Sequence, residues 1–249
     1  MVKGLYTSSE GMIPLMARQD QISNNLANIL TTGYKKSKLL TKTFTEFLAN
    51  DQRQPFVNDK ITIDEVRIDF EQGAFKQTDN PLDMALEGDG FFMVETENGR
   101  RFTRNGNFSI DRSGNLVTST GNLVIGRTKQ GIEGPIQVEG KKPTILSDGT
   151  VMSGRDELGK LRIVTFAKPY PLDKQGDSLF VATRPDTPVF DANDCRVRQG
   201  FLEGSNADPI ESMVEMITVF RNYEANQKAI WAQDETLGKA VNEVGRLNA

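Results

Sequence analysis

Cys195 is the one thiol in 249 residues, and no histidine occurs anywhere. A cysteine nucleophile acts as its thiolate and is usually prepared by a neighbouring imidazole; between Asp194 and Arg196 the only activator at hand is the arginine. The same two counts exclude Ser-His-Asp and Cys-His mechanisms, every histidine-containing zinc site and an intramolecular disulfide. Asp64-Glu65, Asp69 with Glu71, and Asp234-Glu235 have the residue type of general acid–base pairs, but with 34 acidic residues such pairs arise on any solvated face. Gly88-Asp89-Gly90 opens like a dinucleotide-binding fingerprint, yet Met93 stands at the third glycine position and a strand-like run, Phe91 to Val94, follows where a helix is needed. Asp111, Ser113 and Asn115 fall on the first three alternate positions of a calcium loop, with Leu116 in place of its glycine and Asn122 in place of its terminal glutamate. Both motifs read as turns. Arg100, Arg101 and Arg104 around Phe102 have the makings of a base-stacking patch, but at a net charge of −4 they read as the polar face of a strand. The expectation is a protein that is not an enzyme, with no catalytic residue, no cofactor, no metal site and no nucleic-acid partner.

A chain without chemistry of its own must act through its surfaces. Its composition, 37% hydrophobic and 26% charged, is that of an ordinary globular protein of one or two domains. It has no run of about 18 apolar residues, and Lys3, Glu10 and Asp20 break the N-terminal stretch, so neither direct membrane insertion nor a cleaved signal peptide is expected. Charge is unevenly spread: residues 1–45 carry six basic side chains against two acidic, and residues 201–249 four basic against eight acidic. Ends of opposite sign attract, within one chain or between copies.

The C-terminal forty residues carry the strongest periodicity. Met213, Met216, Phe220, Tyr223, Gln227, Ile230, Asp234, Leu237, Val241 and Val244 alternate three and four apart, and all but Gln227 and Asp234 are apolar or aromatic. This is a coiled-coil-like seam, in which occasional polar positions set register and partner. Asp208-Pro209 predicts the helix start near 209, with Asp208 as the cap and proline at the first helical position. Leu5, Ser8, Met12, Leu15, Gln19, Ile22, Leu26 and Ile29 form a weaker N-terminal row, from which Ile22, Leu26 and Ile29 are expected opposite or beside the C-terminal seam. Pro14 costs a helix about 3 kcal/mol, which predicts a kink or a restart there and a main helix over 14–30, stopped by Thr31-Thr32-Gly33.

From 61 to 200 the texture becomes short alternating runs punctuated by Asn98-Gly99, Asn105-Gly106, Ser113-Gly114, Thr120-Gly121 and Asp148-Gly149, the rhythm of β-hairpins. Residues 49–60 have linker composition. The predicted class is α+β: a discontinuous helical assembly domain from 1–48 and 201–249, a linker over 49–60, and a mainly antiparallel β domain over 61–200.

Four blocks of this sequence resemble the bacterial flagellar basal-body rod proteins. They are Ser23-Asn24-Asn25-Leu26-Ala27-Asn28-Ile29 running on to Thr32-Gly33-Tyr34-Lys35-Lys36; Gly88-Asp89-Gly90-Phe91-Phe92 with Phe102-Thr103-Arg104-Asn105-Gly106; Asp111-Arg112-Ser113-Gly114-Asn115-Leu116; and Leu202-Glu203-Gly204-Ser205-Asn206 with Arg221-Asn222-Tyr223-Glu224-Ala225-Asn226-Gln227. Together they span nearly the whole chain in the family's order. The resemblance implies a structural subunit that leaves the cell through the flagellar type III export apparatus, without a cleaved signal. It would polymerise with its own copies and with neighbouring rod proteins in the periplasm-spanning rod, through paired terminal helices that carry torque from motor to hook. Between the FlgF (proximal-rod) and FlgG (distal-rod) types, the short stretch between Phe47 and Ile61 favours the proximal rod, with a distal-rod or hook-family axial protein as the alternative. A soluble β-rich binding module is the reading of another class; it would be folded end to end as a monomer.

Overall fold

The structure, a computed structural model, describes residues 2–47, 57–128, 131–138, 143–192 and 194–246, with backbone alone for 2–4, 42–47, 57–64 and 243–246. The chain is α+β and divides into two compact units: Met1–Ala27, Ser37–Asp69 and Asp208–Ala249 form one, Asn28–Lys36 and Phe70–Ala207 the other.

The first unit pairs helix α1 (Val2–Ala27) with helix α2 (Pro209–Arg246) and adds a two-stranded antiparallel ribbon, Ser37–Phe47 with Val57–Ile68. The start of α2 is where capping chemistry puts it. The Asp208 carboxylate accepts from the amides of Ile210 and Glu211 at 2.7 and 3.0 Å, taking up two of the donors that a helix start leaves free. The N-terminal helix departs from expectation, beginning at Val2, passing through Pro14 and ending at Ala27 rather than near 30. Pro14 is buried, and packing on that side offsets the hydrogen bond the proline deletes. Ser37–Phe47, expected within the helical segment 1–48, is a strand. Of the expected linker, 49–56 lie outside the described residues, and Val57 to Lys60 pair with Phe44 to Phe47.

In the β unit one antiparallel path runs 144–145, 150–153, 156–161, 123–128, 91–96, 99–103, 179–182, 172–176. Glycine dipeptides at 98–99, 113–114, 120–121 and 148–149 turn hairpins there. Asn105-Gly106 does not. Gly106 lies where an added Cβ would stand 1.6 Å from the Met84 carbonyl, so it admits the neighbouring strand rather than reversing the chain. The run Phe91-Phe92-Met93-Val94 is buried throughout because the sheet is covered on both faces. Phe92 and Val94 join Leu86, Leu116, Val124 and Ile163 in one cluster. Phe91 packs edge to face with Phe70, Phe166, Tyr170 and Phe180 in an aromatic one.

Candidate assembly surface

Cys195, Asp89 and Asp111 are each held by the fold. Cys195 is buried, which pushes its thiol up to about 11, so no thiolate forms near neutrality. It is one of the residues lining a cleft of about 190 Å³ whose charged side chains are already paired: Lys160 with Asp148 at 3.6 Å, Arg127 with Asp191 at 3.5 Å, and Arg162 with both Asp191 and Glu133. Asp111 spends both carboxylate oxygens on its own turn, accepting from the amides of Ser113 and Asn115 at 2.8 Å and from Asn115 Nδ2 at 3.0 Å. The Asn115 hydrogen bonds hold its carboxyl below the usual range. Asp89 pairs with Lys168 at 2.6 Å, which lowers its carboxyl likewise. Among the described residues no group of three or more side chains of metal-ligand type converges, and no helix is long and apolar enough to cross a membrane.

The helices are where surface is left over. On α1 the row from Leu5 to Ile22 faces inward, with Ile22 buried and Leu26 half-buried. Ile29 is half-buried too, but in the turn beyond the helix and in the β unit's portion of the chain. The row on α2 splits lengthwise. Met216, Tyr223, Ile230 and Leu237 are half-buried, together with Gln227, whereas Met213, Phe220, Asp234 and Val241 are exposed; the Val244 side chain lies outside the described residues. The face turned inward is a three–four row shifted by one position, Ser212, Met216, Val219, Tyr223, Asn226, Ile230, Gln233 and Leu237, which leaves the edge from Met213 to Val241 outside. Val219 and Ser212, which the row read from the sequence leaves out, are the most buried side chains of α2.

A second apolar row emerges on the open side. Ile210, Met213, Val214, Ile217 and Phe220 are each more than half exposed, and Trp231, about five turns beyond Met213, continues the line at 61% exposure. Tyr6, Ile13 and Met16 form a matching exposed row on α1. Of these only Met213 and Phe220 belong to the seam read from the sequence. The others were findable as a second three–four row offset from the first. An ion pair joins the helices, Arg18 with Glu215 at 2.5 Å, in solvent, where such a pair contributes little. Asn25 is buried and clasps both backbone groups of Ser37, at 2.9 and 3.0 Å, tying α1 to the ribbon.

Three stretches match families of known proteins: residues 5–35 the flagella basal body rod protein family, 85–153 the flagellar hook protein FlgE/F/G D1 domain, and 198–243 the flagellar basal body rod FlgEFG protein C-terminal family. FlgG of Borreliella burgdorferi is 33% identical over 265 residues, covering 97% of this chain and 98% of its own. The chain belongs to the flagellar basal-body rod protein family. FlgG of Bacillus subtilis is 32% identical over 269 residues, 97% of this chain and 99% of its own, and FlgF of Caulobacter vibrioides 31% over 256 residues, the whole of both chains. Within this rod-family chain the exposed apolar rows lie in the two matched terminal stretches, and the closed β core spans the middle one.

Proposed function

We propose that this chain is a structural subunit of the flagellar basal-body rod that polymerises through its terminal helices and transmits torque from motor to hook. The observation that carries this reading is the apolar row Met213, Ile217, Phe220 and Trp231, open to solvent along a helix of a rod-family chain. Continuous exposed apolar surface marks a place where another protein sits. A subunit that offers helix faces to non-equivalent faces of its neighbours builds an open helical array, as a rod requires. In the filament the rows of α1 and α2 pack in coiled-coil fashion with those of adjacent copies and of neighbouring rod proteins, forming an axial domain. Of the rows read from the sequence, Met213, Phe220, Asp234 and Val241 are open to meet another copy, joined by Ile217 and Trp231, whereas Ile22 is buried and Leu26, Ile29, Met216, Tyr223, Gln227, Ile230 and Leu237 are already half-buried within the subunit. The subunit is exported by the flagellar type III apparatus without a cleaved signal, into the periplasm-spanning rod. The proximal rod is the favoured position, because alignment with a FlgF relative covers both chains end to end in 256 residues whereas FlgG relatives need 264 to 269. A self-contained binding module has no use for a helix that bares five large apolar side chains in one stretch.

The test is Phe220→Asp in a strain lacking the wild-type copy. An exposed site tolerates the change within about 0.5 kcal/mol in the isolated protein, so the purified variant melts like wild type while the cells lose motility and build no rod beyond this subunit. Motile cells would overturn the proposal.

A further inference from the structure

The chain passes in and out of the β unit four times, and three of those passages meet at one carbonyl. The Glu71 carbonyl accepts from Lys35 Nζ at 2.7 Å and from Asn206 Nδ2 at 3.0 Å, while Asn206 Oδ1 accepts from the Lys36 amide at 2.6 Å. Glu203 closes the ring. Its Oε1 accepts from Lys35 Nζ at 2.5 Å and from the Gly73 amide at 3.0 Å, its Oε2 from Arg104 Nη1 at 3.3 Å, and its backbone carbonyl from the Gly33 amide at 2.8 Å. The side chains of Lys35 and Glu203 are 0% exposed and that of Arg104 2%. Arg104 is held in turn by the Gly88 carbonyl at 2.8 Å and the face of Phe91. Gly33 must be glycine here: its φ is +67°, and a Cβ would stand 2.3 Å from the Asn105 amide.

One buried carboxylate thus serves two buried cations, and the three groups come from opposite ends and the middle of the sequence. The energetics are lopsided. Loss of the acid leaves two uncompensated buried charges, whereas loss of Lys35 leaves a neutral Arg104–Glu203 pair.

We propose that Glu203 is a latch: segments 28–36, 70–77 and 201–206 seat together around it and open together, as one cooperative step separate from unfolding of the central sheet. The latch segments then stay open until residue 206 is available, which suits a chain that must travel unfolded. That purpose rests on the rod-subunit reading; the latch itself does not.

Hydrogen exchange by mass spectrometry on the full-length monomer tests it, and failure of the latch is distinguishable from failure of the rod reading because no motility enters the readout. In wild type the three segments share one opening equilibrium. Glu203→Gln raises exchange in all three together, by about a hundredfold, and leaves 91–96 and 123–128 unchanged. Acceleration confined to 201–206 would overturn the proposal, as would equal acceleration throughout the sheet in a folded variant. Where Glu203→Gln yields no folded protein, Lys35→Met decides: it speeds exchange in 70–77 and 201–206 as well as in 28–36, and unchanged exchange in those two distant segments would overturn the latch.

Discussion

Phe92 and Phe220 are the same residue in regular secondary structure, one 0% and the other 51% exposed. The first lies in a strand covered on both faces, in a unit that completes its own core. The second lies on a helix that α1 covers on one side. A β sheet closed by hairpins satisfies its backbone and its apolar faces locally, whereas two helices packed side by side always leave an outer face. The β unit therefore buries its large aromatic and aliphatic run 91–94 in its own core, and the C-terminal helix leaves a row of apolar side chains in water.

The contrast can be broken most directly by truncating each phenylalanine. Phe92→Ala empties a fully buried site and costs about 3–5 kcal/mol in denaturant unfolding, against less than about 0.5 kcal/mol for Phe220→Ala; comparable losses would erase the distinction. A second probe lies at Lys174, whose amine is buried without a hydrogen-bond partner over the Tyr34 ring, 4.0 Å from its centroid. Burial lowers its pKa to about 8. The ring favours the charged form, but a ring face replaces only part of an ammonium's lost hydration, so the cost of burial wins. Because the folded pKa lies below the unfolded one, the penalty is full below pH 8 and fades as pH rises toward the ordinary lysine value of about 10.4. Lys174→Met accordingly raises the melting temperature at pH 7, by a margin that shrinks between pH 8 and 10.5; a gain independent of pH would mean that added apolar packing, not charge, is responsible. Asp208→Ala removes the α2 cap and costs about 1 kcal/mol. Far-ultraviolet circular dichroism should register a lower helix content while near-ultraviolet signals from the β unit's aromatic cluster stay unchanged.

Several features were legible because the interactions behind them are local. The cap at Asp208, the proline after it, and the glycine turns at 98–99, 113–114, 120–121 and 148–149 depend on neighbours within a few residues, and the structure has each in place. The turn reading of Asp111 held for the same reason: its carboxylate binds amides two and four residues on. Pro14 misled because its local cost is real and the burial that offsets it is tertiary. The α2 row was found at the right spacing, but spacing cannot say which edge meets α1 and which meets solvent.

An α+β chain with helical ends, a hairpin-built middle, a family, and the lack of histidine or a paired thiol could all be read before any coordinates, since they follow from residue type, short-range periodicity and motif. Tertiary structure alone decided that Lys35, Arg104 and Glu203, spread over 168 residues of chain, share one dry site, and that Met213, Phe220 and Trp231 stay in water. Burial is a property of what the rest of the chain covers, and no local pattern records it.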